Sequence, residues 1–148
     1  MNPELTARIE TVRLAFGDLC FACGRRNDAG LHLDDFTWDG TTVTGTFEPR
    51  DDYRGAGNVL HGGIAATAID EISVWAGILG EGVLTVTGKL ELRYRRPLTV
   101  HDRITAAAQV DERRGRRLVI SARLQTTDDR IAVESSGLFL VSRSMHEF

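Results

Sequence analysis

The sequence predicts an α+β domain in which one antiparallel sheet wraps around a single long, apolar helix. Three observations carry this. The run from Gly62 to Leu79 is mostly apolar, rich in Ala and Ile and free of proline, which marks a buried helix. After it, three stretches alternate apolar and polar residues with the period of two that half-buried strands require, and a fourth run reads as a strand apolar on both faces. Before it, two further alternating runs flank the turn signal Asp39-Gly40.

In chain order, Leu5, Ile9, Val12 and Phe16 fall at helical spacing, and Pro3 is acceptable in a first turn, so an N-terminal helix is expected within residues 1–18. Gly17 and Asp18 end that pattern. A loop carrying Cys20, Cys23, Gly24 and Asn27 follows, and the remaining core is expected over residues 19–148. Leu31 and Leu33 open the first alternating run, and Val43, Gly45 and Phe47 form its hairpin partner. Pro49 to Val59 is polar and glycine-bearing, hence a loop. The long helix follows, with Gly80 and Gly82 marking its end. Leu90, Leu92 and Tyr94 alternate with charged residues until Pro97. Ile104 to Val110 and Leu118 to Leu124 continue the period, joined by an Arg114-Gly115 turn. Ile131 to Val141 is apolar on both faces, so it is expected to be a central strand covered on both sides. No internal repeat is visible, and a single domain is expected over these residues.

With 148 residues the chain can bury a core without staples. Its 42% hydrophobic and 26% charged residues are ordinary globular usage. A net charge of −3 gives no general attraction to nucleic acid or anionic membrane. No apolar run is expected to approach the roughly 20 residues that span a bilayer. Residues Met1 to Arg13 lack a signal-peptide core, and two cysteines make no disulfide framework, so a cytoplasmic setting is expected.

The chemistry concentrates in Asn58-Val-Leu-His61-Gly62-Gly63-Ile-Ala-Ala-Thr67-Ala-Ile-Asp70-Glu71. Gly62 and Gly63 stand where a loop enters the helix, so a ligand can approach the backbone closely. First-turn N–H groups lack intrahelical partners and lie at the positive end of the helix dipole, which suits an oxyanion. Asp70 sits two turns on among apolar neighbours, where an ionised carboxylate is costly unless paired or used.

His-Gly-Gly, six residues, then Asp resembles the hotdog-fold thioesterases of the phenylacetate-degradation type, within the hydroxybenzoyl-CoA thioesterase superfamily. Cys20-Phe-Ala-Cys23-Gly24, Asn27, Gly30-Leu31-His-Leu33 and Tyr94-Arg-Arg-Pro97 extend the resemblance across residues 20–141. It implies hydrolysis of an acyl-CoA to a carboxylic acid and free coenzyme A, without metal or cofactor. Asp70 is then nucleophile or general base, and the Gly63 N–H polarises the thioester carbonyl. Asn58 and His61 line the site, Gly62 contacts the substrate, and Thr87 positions the attacking water. The resemblance also implies a homodimer with its active site between subunits, often paired into a tetramer.

Each residue has a plainer reading. Asp70 can be a structural acid satisfied by Thr67 or by neighbouring backbone. Glu71 points about a hundred degrees away and is expected to make an ion pair or hydrogen bond. His61 can hold the loop. Arg93, Arg95 and Arg96 either form a solvated face or some of them, or Arg54, hold coenzyme A phosphates. Cys20 and Cys23 are two ligands short of a zinc site, and no second Cys or His pair exists, so they are expected to be small buried thiols. Competing functions are a non-catalytic acyl-CoA binder and a hotdog hydratase or dehydratase.

Overall fold

The computed structural model describes residues 2–147. Helix α1 (Pro3–Ala15) precedes strands β1 (Asp34–Trp38) and β2 (Thr42–Phe47). A short 3-10 turn (Asp51–Tyr53) leads to α2 (Gly62–Glu81). Strands β3 (Val83–Tyr94), β4 (Ile104–Arg114), β5 (Arg117–Gln125) and β6 (Ile131–Ser144) complete the fold. All six strands form one antiparallel sheet in the order β1-β2-β4-β5-β6-β3. The sheet curls around α2, which packs against β2, β3, β4 and β5. This is the helix-in-sheet architecture that the sequence predicts.

The reason is visible in α2 itself. Ala65, Ala68, Ile69, Ile72, Trp75, Ala76, Ile78 and Leu79 are buried. They meet Val43, Ile104, Leu118, Ile120, Leu124 and Phe139 from the concave face of the sheet in one core. Burying each large aliphatic side chain contributes roughly 1.5–3 kcal/mol, so this contact is the main favourable term in the fold. Contrary to the expectation that no apolar run approaches membrane-spanning length, α2 is long and apolar enough by length and composition to cross a membrane, Asp70 and Glu71 being too few charges to offset its apolar residues. Here Ala68, Ile69, Ile72, Trp75 and Leu79 are buried in the core, whereas Ile64 and Val74 are only partly covered.

Helix α1 is capped by the Asn2 side chain, which accepts from the Glu4 N–H at 3.0 Å. It buries Ile9 and Val12, and Arg8 donates to the carbonyl of Ile78 at 2.8 Å, fixing α1 to the end of α2. Phe16, expected on the apolar face, is instead the C-cap and 40% exposed. Arg13, unremarkable in sequence, is buried and clamps two segments: it donates to the Cys23 carbonyl and to Asp34 Oδ1, both at 2.7 Å.

Several expected boundaries move. Leu31 and Leu33 are buried but lie ahead of β1, where His32 at positive φ interrupts the extended backbone; Asp35, also at positive φ, falls at a register shift inside β1. Gly80 remains inside α2, and Gly82 alone ends it, in the left-handed conformation at φ +65°. β3 therefore begins at Val83 rather than near Leu90, and Val83-Leu-Thr-Val-Thr87 supplies the β-branched residues that favour a strand. Its pairing with β6 slips one register between Thr87 and Lys89, a bulge at Gly88. β6 lies between β5 and β3, but only one face is covered in this chain: Phe139 is fully buried, whereas Leu140 is 36% exposed.

Candidate active site

The loop before α2 is pinned before it reaches the helix. His61 N donates to the Tyr53 carbonyl at 2.9 Å, Leu60 N to Leu98 O at 2.8 Å, and Val100 N to Asn58 O at 3.0 Å. These bonds hold His61 as the N-cap residue of α2, with Gly62 and Gly63 in the first turn. His61 Nδ1 accepts from the Gly63 N–H at 2.9 Å, so its ring does the work a Ser or Asp does at other N-termini. That bond requires Nδ1 without a proton. The Gly63 amide expected to polarise a carbonyl is thus already paired within the chain.

Tyr94 adds a contact that sequence reading missed. Its hydroxyl donates to the Gly62 carbonyl at 2.7 Å, tying the end of β3 to the start of α2. The Tyr-Arg-Arg-Pro signature placed Tyr94 at the strand end but gave no sign of its partner.

Two turns along the helix, Asp70 is half-buried and Thr87 Oγ1 donates to its Oδ1 at 2.5 Å. The structure thus brings together two residues seventeen positions apart. Thr67, the alternative partner for Asp70, instead donates to the Gly63 carbonyl at 3.0 Å. Thr87 lies on β3 at the sheet edge, flanked by exposed Val86 and Lys89, so this carboxylate sits beside an open strand.

Glu71, one residue on, occupies a different environment. Its Oε1 accepts from Trp75 Nε1 at 3.0 Å, and Cys20 Sγ lies 3.6 Å from Oε2. The hydrogen bond expected of Glu71 is therefore present. Burial pushes its carboxyl up to about 7, and the adjacent Cys20 adds to this. Hydrogen bonding with Cys23 lowers Cys20 to about 5, and the same interaction together with burial raises Cys23. These groups line an apolar cavity of about 310 Å³ with Val12, Val74, Ile78 and Leu84.

Arg54, Arg93 and Arg95 are not gathered at one place. Arg54 donates to Asn58 Oδ1 at 2.7 Å and to Asp51 Oδ1 at 2.6 Å, so Asn58 and Arg54 hold each other. Arg95 pairs with Glu134 at 2.5 Å, and Arg93 lines a concavity with Glu91 and Glu134. Surface pairs of this kind stabilise little but spend the charge locally.

Against this geometry, the thioesterase superfamily model matches residues 57–133, more than half of the chain, and spans the His-Gly-Gly turn, Asp70 and Thr87. The chain belongs to the thioesterase superfamily. Mouse and cattle proteins named acyl-coenzyme A thioesterase THEM4 are 28% and 30% identical to it over 88 residues. That stretch is 59% of this chain but only 37% and 35% of theirs. Among solved structures, zebra fish thioesterase superfamily member 2 superposes with a TM-score of 0.74 at 17% identity, covering 90% of this chain and 97% of that one. The smu.793 protein of Streptococcus mutans, solved bound to acetyl CoA, superposes at 0.68 with 18% identity, over 75% and 91%. These superpositions establish the hotdog fold of this superfamily member.

Proposed function

We propose that this thioesterase-superfamily chain hydrolyses an acyl-CoA thioester, with Asp70 as its catalytic carboxylate. The observation that carries this reading is the Thr87–Asp70 pair. It fixes one carboxylate oxygen, and Oδ2 has no hydrogen-bond partner among the described residues.

As general base, Asp70 takes a proton from water while the water oxygen bonds to the carbonyl carbon. The resulting tetrahedral oxyanion rests on the N–H groups at the α2 N-terminus. Collapse breaks the C–S bond, and the leaving thiolate takes up the proton. As nucleophile, Oδ2 forms an anhydride, expels the thiolate, and water then releases the acid. In either case the substrate oxygen replaces His61 Nδ1 as the acceptor for the Gly63 N–H. Asn58, held by Arg54, keeps the loop before His61 in place. Arg93 and Arg95 lie where the chain continues past Tyr94 and would meet the coenzyme A phosphates only by leaving their acidic neighbours.

The site also supports self-association. Gly63 and Asp70 are seven helical residues apart, roughly 10 Å along the axis. A carbonyl bound at one cannot be attacked from the other, since reacting atoms must approach to about 3 Å. A second copy joined along the open β3 edge would bring its own α2 N-terminus to Asp70. The acyl-coenzyme A thioesterase relatives and the acetyl-CoA-bound Streptococcus protein support coenzyme A as the thiol.

The test is thiol release from a panel of acyl-CoA thioesters by the wild-type chain and by Asp70→Asn. Turnover by wild type with a loss of about a hundredfold or more in the variant is expected. Altered acyl chains without thiol release would favour a hydratase, and binding without turnover a carrier.

A further inference from the structure

We propose that Cys20, Cys23 and Glu71 form a binding site for a thiophilic divalent cation of the zinc type, with its fourth coordination position open to the adjoining cavity. The two Sγ atoms and a Glu71 carboxylate oxygen all lie within 4.8 Å of one another. A tetrahedral ion with Zn–S bonds of about 2.3 Å and Zn–O bonds of about 2.0–2.2 Å separates its ligand atoms by about 3.5–3.8 Å. Shifts of about an ångström would therefore close the three groups around an ion.

The turn is shaped for the purpose. Cys20 Sγ receives backbone hydrogen bonds from Ala22 and Cys23, donors that favour a thiolate. Gly24 N donates to the Cys20 carbonyl at 2.8 Å. A Cβ at Gly24 would fall 2.5–2.6 Å from backbone atoms of Cys20 and Asp18, so the turn closes only with glycine there. The loop is held from outside by Arg13 on the Cys23 carbonyl and by Leu33 N on the Ala22 carbonyl at 2.9 Å.

Glu71 arrives from another element and is aimed by its own tether. Trp75 Nε1 holds Oε1, leaving Oε2 toward the thiols, as outer hydrogen-bond partners orient metal ligands. Two sulfurs and one oxygen favour zinc-like ions over magnesium or calcium. Three acidic groups facing one another repel when ionised; a dication turns that repulsion into attraction. Arg13, on the same cavity wall, offsets the net negative charge of such a centre. A simple Cys20–Cys23 disulfide would use the two sulfurs but leave the Glu71 carboxylate and its Trp75 tether without a role. Sequence spacing offered only two ligands, because the third lies forty-eight residues on and is delivered by α2.

The deciding experiment is titration of the reduced, chelator-dialysed whole chain with Co²⁺, read in the near-ultraviolet for thiolate-to-metal charge transfer. One Co²⁺ per chain, displaced by Zn²⁺, is the expected result. Cys20→Ser and Cys23→Ser should each diminish the charge-transfer band, and Trp75→Phe should weaken binding by about ten- to a hundredfold. The proposal is overturned if the wild-type chain, with both thiols shown to be reduced, develops no such band. It is equally overturned if folded cysteine variants keep it, or if the pair merely oxidises to a chain two hydrogens lighter that takes up no metal after reduction. The wild-type titration decides even where a variant fails to fold, and it is independent of thioesterase activity.

Discussion

Asp70 and Glu71 are adjacent in sequence yet face opposite kinds of surroundings. Asp70 meets a threonine on an edge strand, with exposed residues to either side. Glu71 is turned into the cleft beneath the N-terminal loop, bonded to an indole and facing a thiol. A step of about a hundred degrees around a helix separates the two. Neighbouring carboxylates on a core helix thus acquire different chemistry from the layer each one meets. The open side suits a group that must reach substrate. The closed side suits one that holds the loop or a bound ion.

The largest expected effect tests the closed side. Trp75 is 2% exposed and stacks on Phe36 with ring centroids 4.4 Å apart. Trp75→Ala should cost about 3–5 kcal/mol in a denaturant titration. A cost below about 1 kcal/mol would mean the cleft is not a packed part of the core.

Next comes the contrast between the two acids. Asp70→Asn should lower kcat/KM by about a hundredfold or more while leaving the melting temperature nearly unchanged. Glu71→Gln should alter activity by less than about tenfold. Equal losses in the two variants would erase the functional distinction between the faces.

The open side can then be sharpened through Thr87. A hydrogen bond to a charged group contributes about 1.5–3 kcal/mol, so Thr87→Val should slow hydrolysis by roughly ten- to a hundredfold. Thr87→Ser, which keeps the hydroxyl, should restore most of the rate. Failure of serine to rescue would point to packing rather than the bond to Asp70.

The smallest effect lies on the loop that leads to the site. The Arg54 guanidinium, followed by His101, holds the Asp51 carboxyl below the usual aspartate range. Its folded-state value is depressed, so this contribution to stability is present above the ordinary aspartate range and lost as pH falls through the lowered value. In an NMR titration Arg54→Ala should move Asp51 back toward the ordinary range; an unmoved titration would show that the pair in this loop is not formed in solution.

Much of this was legible in the residues. The Gly62–Leu79 run announced the core helix, and the Asp39-Gly40 and Arg114-Gly115 signals fell at real turns. The His-Gly-Gly turn and Asp70 were identifiable because helix entry and a carboxylate among apolar residues are local features. Less visible was the start of β3: Gly80 to Val86 mixes glycine with β-branched residues, and the choice between loop and strand depends on pairing with β6. The exposed outer face of β6 was missed for a related reason, since alternation along one strand cannot say what covers it.

The sequence by itself determined the class of fold, the helix that fills it and the position of Asp70 on that helix, because periodicity, glycine and charge act within a few residues. Tertiary structure alone decided the partners: Thr87 for Asp70, Tyr94 for the Gly62 carbonyl, Arg13 for the Cys23 carbonyl, and Glu71 for the two thiols. Those contacts join residues 10 to 51 positions apart across the folded layers. Their distances follow from how the sheet curls around α2, a property of all the packed side chains together rather than of any short motif.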